Sequence, residues 1–341
     1  MKKIIYISDL VGIKSGMHYY HEAQIESLRG ECSECVIKSN YTCVRGDSYY
    51  PNIFSGNIFF RLCKLVLAYC KFLQLCVRSR DAEVRHYWYG TWVDVPFILL
   101  AMPFKHVLFD IHEIVMLDYR GGYLVRLIER CFSWSRNQFV VHSDVNYQAL
   151  AKVIKCDRIS VVPHPELSPP TKYNIDNITD EYVSYISDMR AREMTICLFF
   201  GDLRPSKGIH EVLRLCENNY GDVSFLVCGQ DIFGILPSKA AYRDHVLISP
   251  RRQSDEELAF LFSNSDIILL PYINSSQSGV LEVARAFGEP ILVSPILAET
   301  MHSYEFPSES CDFNQSSRVI VGEIEKFSAI IPLRLRSAKD D

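Results

Sequence analysis

Three stretches of the sequence carry residue types suited to chemistry. The first is Leu198-Phe199-Phe200-Gly201-Asp202-Leu203-Arg204-Pro205-Ser206-Lys207-Gly208-Ile209. An apolar run ends at Gly201, a short basic loop follows, and a helical pattern opens at Ile209. Glycine lets a backbone approach a ligand, and a new helix offers unpaired N–H groups and a positive dipole end to an anion. Arg204 can grip phosphate oxygens bidentately and Lys207 adds a point charge. The loop therefore fits a pyrophosphate, although the spacing also fits a solvated turn with two surface cations. The second stretch is Ile267-Ile268-Leu269-Leu270-Pro271-Tyr272, followed by Ser275-Ser276-Gln277-Ser278-Gly279-Val280-Leu281. Here Ser278 and Gly279 would set hydroxyl and amide donors at a second helix start. The third is Phe109-Asp110-Ile111-His112-Glu113, which puts an imidazole between two carboxylates at a strand end. A satisfied strand-end histidine with solvated acids is the structural alternative.

The elements that must position these residues follow from periodicity. Short β-branched runs alternate with longer helical stretches, the pattern of βα units on a parallel sheet. Strands are expected at Ile4–Ser8, Cys35–Lys38, Val84–Trp88, His106–Asp110, Phe139–His142 and Ile159–Pro163, with helices at His18–Leu28, Ile58–Val77, Leu124–Ser133 and Asp144–Lys152. Four prolines between Pro163 and Pro170, then a polar stretch to about Asp180, read as a linker. A second series expects strands at Thr195–Phe200, Ser224–Cys228, His245–Ile248, Asp266–Leu270 and Pro290–Ser294, with helices at Ile209–Asn218, Asp255–Asn264 and Gly279–Phe287. The expected architecture is α/β: a Rossmann-like lobe over 1–165, a linker over 166–192, a second Rossmann-like lobe over 193–310, and a tail over 311–341 that returns to the first lobe. In such sheets ligands sit at the carboxyl ends of strands, which is where all three stretches fall, and two lobes in sequence imply a deep cleft.

The segments "FFGDLRPSKG" and "DIILLPYINSSQSGVLEVARAFGEPILVS" together resemble the C-terminal lobe of GT-B glycosyltransferases, specifically the large retaining family four. The likeness extends to Lys2–Ser8 with Ser15-Gly16, and to Phe139–Ser143 with Val161–His164. It implies transfer of a sugar, with retention, from a UDP- or GDP-linked donor to a hydroxyl acceptor. By the same resemblance Gly201, Arg204, Lys207, Ser278 and Gly279 bind the donor diphosphate, and Ser276 and Gln277 the donor sugar. Ser15 and Gly16 form the acceptor-side glycine loop, and His112, with Glu113, works at the transferring sugar. Fixed cations replace Mg²⁺ in such enzymes, so neither metal nor other cofactor is expected. The chain departs from the family where its paired glutamates would fall: Ser275 and Val283 stand there, Glu282 lies one residue off, and Asp202 follows Gly201 where many relatives have arginine.

Composition narrows the rest. A length of 341 residues with 48% hydrophobic and 23% charged residues supplies two buried cores. A net charge of −5 gives no case for nucleic acid. The loop after the first strand holds Gly12 and Gly16 but no G-x-G-x-x-G, which disfavours hydride transfer. Cys32 and Cys35 lack a second pair for zinc and read as unlinked thiols. The apolar run of four residues at the N-terminus is too short for a signal peptide, and no window of about 18 residues lacks charge. A cytoplasmic setting is therefore expected, and the family resemblance implies bacterial surface polysaccharide or glycolipid assembly. Arg61, Lys64, Lys71, Arg78 and Arg80 fall within 61–80 without one acid. On a helix most of them form a narrow polar stripe, read either as the wet edge of a buried helix or as a peripheral contact with anionic lipid carrying a lipid-linked acceptor. A sugar-nucleotide epimerase and a non-catalytic GT-B-like partner subunit are the alternative functions.

Overall fold

The structure, a computed structural model, describes residues 3–10, 17–28, 30, 32–40, 46–53, 55–112, 114, 122–162, 165, 167, 169–217, 221–231, 233–236, 244–273, 278–298, 308–313 and 320–324. The chain divides into two compact units, Met1–Leu167 and Ser168–Asp341.

The first unit runs β1 (Lys3–Ser8), α1 (Met17–Leu28), β2 (Cys32–Ser39), β3 (Gly46–Ser48), α2 (Ile58–Arg78), β4 (Glu83–Trp88), α3 (Val95–Ala101), β5 (Val107–Ile111), α4 (Gly122–Trp134), β6 (Gln138–Val141), α5 (Asp144–Ala151) and β7 (Ile159–Val161). Its seven strands pair in the order β3-β2-β1-β4-β5-β6-β7, every pair parallel. The order reverses between β1 and β4, the point in such a sheet where ligands generally sit. Ser8 is in register with His86, Tyr87 with Asp110, and Asp110 with Val140, which lines polar side chains along the carboxyl edge.

The second unit runs α6 (Asp180–Ala191), β8 (Thr195–Phe200), α7 (Ile209–Cys216), β9 (Val223–Cys228), β10 (Val246–Ser249), α8 (Asp255–Ser263), β11 (Ile267–Leu270), α9 (Gly279–Phe287), β12 (Ile291–Val293), α10 (Pro295–Ala298) and β13 (Ser308–Ser310). Its sheet is again parallel, in the order β10-β9-β8-β11-β12-β13, with the reversal between β8 and β11. Every residue of β9 and β11 is buried, as strands covered on both faces must be. Ile209, Val212, Leu215 and Cys216 put one apolar stripe of α7 against that sheet. Ser254 and Glu257 close a capping box at the start of α8.

Two expectations are corrected. The stretch read as linker holds α6, whose Tyr182, Ile186 and Met189 are buried one helical face apart, with Asp180 and Glu181 in its first turn. The proline cluster upstream hid this three-residue apolar stripe. The second correction concerns α2. Its buried face is narrow, consisting of Ala68, Phe72, Leu75 and Cys76. Most of the remaining apolar side chains face outward: Phe59, Leu62, Val66, Leu73 and Val77 recur at intervals of three, four or seven residues and are 38–66% exposed. Three cations of the expected stripe hydrogen-bond the segment before the helix, the two lysines half-buried and Arg61 exposed. Lys64 donates to the Ser55 carbonyl and hydroxyl at 2.9 and 2.6 Å, Lys71 to the Tyr49 carbonyl at 2.5 Å, and Arg61 to the Ile53 carbonyl at 3.3 Å. No helix among the described residues is long and apolar enough to cross a membrane.

Candidate functional site

In the second unit the loops leaving β8 and β11, the strands that flank the reversal, close on each other. Ile273 N–H donates to the Ser206 carbonyl at 3.0 Å. Gly208 has φ +73°, and a Cβ there would lie 2.0 Å from the Pro271 carbonyl oxygen, so only glycine permits this approach. Gly201 has φ +117°, and a Cβ on it would come within 3.1 Å of Lys207 Nζ. The Lys207 ammonium thus sits over Gly201 and also over the Tyr272 ring, 5.5 Å from its centroid. Arg204 and Lys207 bracket a single 3-10 turn, Pro205–Lys207, which delivers the chain into α7 through Gly208. The structure therefore brings Gly201, Arg204 and Lys207 together at the strand end and sets the start of α9 beside them, since Val280 Cγ2 would also touch a Cβ on Gly201, at 3.3 Å.

Ser278 stands at the start of α9, the helix end at which it is expected. Its hydroxyl accepts from Leu281 N–H at 3.1 Å as the N-cap of α9 and donates to the Tyr272 hydroxyl at 3.0 Å. It shapes the helix start, and the backbone N–H groups of α9, beginning with Gly279, are what that end can offer an anion. Glu282 is buried and paired with Arg285 at 2.8 Å. Glu113, Ser15, Gly16, Ser276 and Gln277 lie outside the described residues.

The first unit carries a second polar centre, at the carboxyl ends of β5 and β6. Asp110, fully buried, accepts from His142 Nε2 at 2.6 Å through Oδ1 and from Gln24 Nε2 at 2.7 Å through Oδ2. His142 Nδ1 lies 2.8 Å from the Val162 carbonyl, and its Nε2 lies 2.9 Å from the Tyr20 hydroxyl. The Tyr87 hydroxyl donates to Gln24 Oε1. His112 Nε2 stands 3.8 Å from Asp110 Oδ1, farther than hydrogen-bond reach. The His112 ring is stacked on Tyr89 at 5.4 Å and 13°, with Tyr20 and Tyr87 edge-on. Tyr89 in turn donates to Asp9 at 2.9 Å, and Asp9 faces His21 at 3.0 Å. Burial alone would raise the Asp110 pKa, but the charge and hydrogen bond of His142 outweigh it and hold the carboxyl below its usual range. Burial likewise works against charge on His142, and Asp110 overcomes it, so that the imidazole is raised.

Asp110, His112 and His142 are also the one cluster among the described residues with metal-ligand types at close spacing, within 4.8 Å of one another. Two ligands of a tetrahedral zinc, each about 2.1 Å from the ion, lie about 3.4 Å apart. The Asp110–His142 separation of 2.6 Å is that of two atoms sharing a proton. Sequence reasoning singled out His112 and Asp110. His142 and Gln24 were missed because nothing in a lone histidine after β6, or a glutamine on α1, signals convergence on β5.

No family model and no curated protein sequence matches the chain. Solved structures do. Anabaena HepE in complex with UDP-glucose superposes with a TM-score of 0.64 at 12% identity, over 95% of this chain and 89% of that one. The fold is GT-B. The catalytic domain of starch synthase IV from Arabidopsis thaliana, bound to ADP and acarbose, gives 0.66 at 10% identity over 99% and 94%. WaaG, a glycosyltransferase involved in lipopolysaccharide biosynthesis, gives 0.59 at 13% identity over 98% and 92%.

Proposed function

We propose that the chain is a glycosyltransferase that moves a sugar, with retention, from a nucleoside diphosphate donor to a hydroxyl acceptor. The observation that carries this reading is the closure of the β8 and β11 loops around Gly201, with Lys207 held over it and Arg204 one turn away. The barrier to such a transfer lies in charge developing on the departing diphosphate. Arg204, Lys207 and the amide ends of α7 and α9 meet that charge electrostatically, which is why the reaction is proposed to run without a metal ion. His112 works at the sugar; Glu113, Ser276 and Gln277 are proposed beside it, and Ser15 and Gly16 at the acceptor. HepE structures hold UDP and UDP-glucose, which supports a uridine nucleotide as the first donor to test.

The setting proposed is bacterial surface polysaccharide or glycolipid assembly on the cytoplasmic side of the membrane. The exposed apolar stripe of α2, flanked by exposed Arg61, Arg78 and Arg80 with no acid between them, supports a peripheral seat on anionic lipid.

Thermal shift against UDP, GDP, ADP and their sugars tests the donor site, because a nucleotide that binds only the folded chain raises its melting temperature. A shift with one nucleotide, followed by turnover on acceptor extracts that survives EDTA, is the expected result. No shift with any nucleotide sinks the proposal, and binding without turnover favours the non-catalytic partner, to which the missing glutamates at Ser275 and Val283 would then belong. Loss of turnover in EDTA overturns the metal-free mechanism.

A further inference from the structure

The proposed role of His112 leaves the buried groups behind it unused, and they form a proton-holding device. Two imidazoles face a single carboxylate oxygen, Asp110 Oδ1: His142 at 2.6 Å and His112 at 3.8 Å. Only the nearer one is within hydrogen-bond reach. His142 is also the better anchored, because its other nitrogen lies 2.8 Å from a backbone carbonyl, that of Val162, which can only accept. His142 Nε2 also lies 2.9 Å from the Tyr20 hydroxyl, but the shorter contact is to the carboxylate, and a ring with one nitrogen on a carboxylate and the other on a carbonyl is satisfied as the imidazolium. The second carboxylate oxygen is occupied by Gln24, itself fixed by Tyr87.

We propose that His142 carries the proton that neutralises Asp110, and that this ion pair keeps His112 neutral, making His142 a positioning residue for the site assigned to His112. The assignment of that site to the sugar rests on the function proposed above; the proton assignment rests on the geometry. A neutral imidazole both accepts and donates a hydrogen bond, whereas an imidazolium only donates. Neutral His112 can therefore accept from a sugar hydroxyl. Were Asp110 unpaired, its bare carboxylate at 3.8 Å would draw a proton onto His112 and remove that capacity. The other titratable groups facing the pair are Tyr20 on α1, Tyr87 on β4 and Tyr89 just after it, all phenols kept protonated by burial. Beyond them stand Asp9 and His21, which face each other, and Arg85, whose charge acts on Tyr20.

The test uses full-length protein with ¹⁵N-labelled histidine, read by long-range nitrogen–carbon-proton correlation spectra across pH. His112→Gln and His142→Gln assign the two rings. The expected wild-type result is His142 protonated on both nitrogens at pH 7 and above its usual titration range, with His112 a neutral tautomer. In His142→Gln the His112 midpoint should rise by about 1–3 pH units, as for a base left beside an opposite charge. In Asp110→Asn, His142 should lose its second proton at pH 7 while His112 stays neutral; this variant carries the test alone if His142→Gln does not fold. A doubly protonated His112 at pH 7 overturns the proposal. So does a midpoint that neither variant moves, and so does stoichiometric zinc uptake that removes the His142 Nε2 proton. None of these readings uses a donor. If nucleotides fail to shift the melting temperature while the histidines behave as stated, the glycosyltransferase reading fails and the ion pair stands.

Discussion

At the scale of single residues, the loop proposed to hold the donor separates charge from backbone shape. Arg204→Ala and Lys207→Ala each remove one charge-assisted contact, worth about 1.5–3 kcal/mol, so nucleoside diphosphate affinity should fall about tenfold or more in titration calorimetry. Neither side chain belongs to a buried core cluster, so thermal unfolding should move little. Gly208→Ala should do the reverse first. It forces a Cβ into the Pro271 carbonyl at a φ of +73°, and should cost about 2 kcal/mol or more in denaturant unfolding as the β8 and β11 loops part. Weaker nucleotide binding should follow from that separation. Unchanged stability in Gly208→Ala would show that the two loops do not need their close approach.

At the scale of elements, α2 decides how the first unit could meet a surface. Phe59→Gln, Leu62→Gln and Val66→Gln combined should release the protein from anionic vesicles, at about 1 kcal/mol each and so about a hundredfold together. Because these side chains are already exposed, unfolding should be unaffected. Lys64→Gln and Lys71→Gln should matter less for vesicles than their charge suggests, since both ammonium groups hydrogen-bond carbonyls of the segment before α2. Vesicle flotation across salt separates the two contributions, because exposed charges are screened over about 10 Å at 0.1 M while apolar insertion is not. Wild-type protein that ignores anionic vesicles at low salt would end the membrane reading.

At the scale of the whole molecule, two parallel sheets with the same reversal of strand order carry two differently built centres, one of buried imidazole and carboxylate, the other of glycine turns and cations. The first sheet also has a titrating core. His86 is fully buried among Phe72, Phe97 and Phe109, held by Ser8 at 2.8 Å, and burial pushes its pKa down to about 3. With the folded value below the unfolded one, the unfolded chain binds the extra proton between about pH 6.5 and 3. The contribution of His86 is therefore fully present above pH 6.5 and is lost as pH falls toward 3. Asp94, raised by burial to about 6, runs in the opposite sense and is common to wild type and variant. The stability difference between wild type and His86→Leu should accordingly be flat above pH 6.5 and shift in favour of the variant by several kcal/mol on acidification, as read by denaturant unfolding at each pH. A difference that stays constant down to pH 4 would mean that His86 is not buried as a neutral ring.

The sequence by itself determined the alternation of elements, because parallel strands covered on both faces must be near-continuous apolar runs such as Ile267–Leu270, and because glycines and caps such as Gly208, Ser254 and Gly288 punctuate them locally. It also determined that Gly201, Arg204, Lys207 and Gly208 share one loop, since they lie within eight residues of each other and need no distant partner to meet. It did not determine Gly46–Ser48 or Ser308–Ser310 as strands, because three polar or small residues become strand only when an existing edge, β2 or β12, pairs with them. It mistook the wet face of α2, since helical periodicity identifies a stripe without saying which neighbour covers it. Only the tertiary structure decided that Gln24, Asp110, His112 and His142, up to 118 positions apart along the chain, meet at one carboxylate. Side chains on α1, β5 and the end of β6 converge through sheet order and register, and those are set by long-range pairing that no local spacing records.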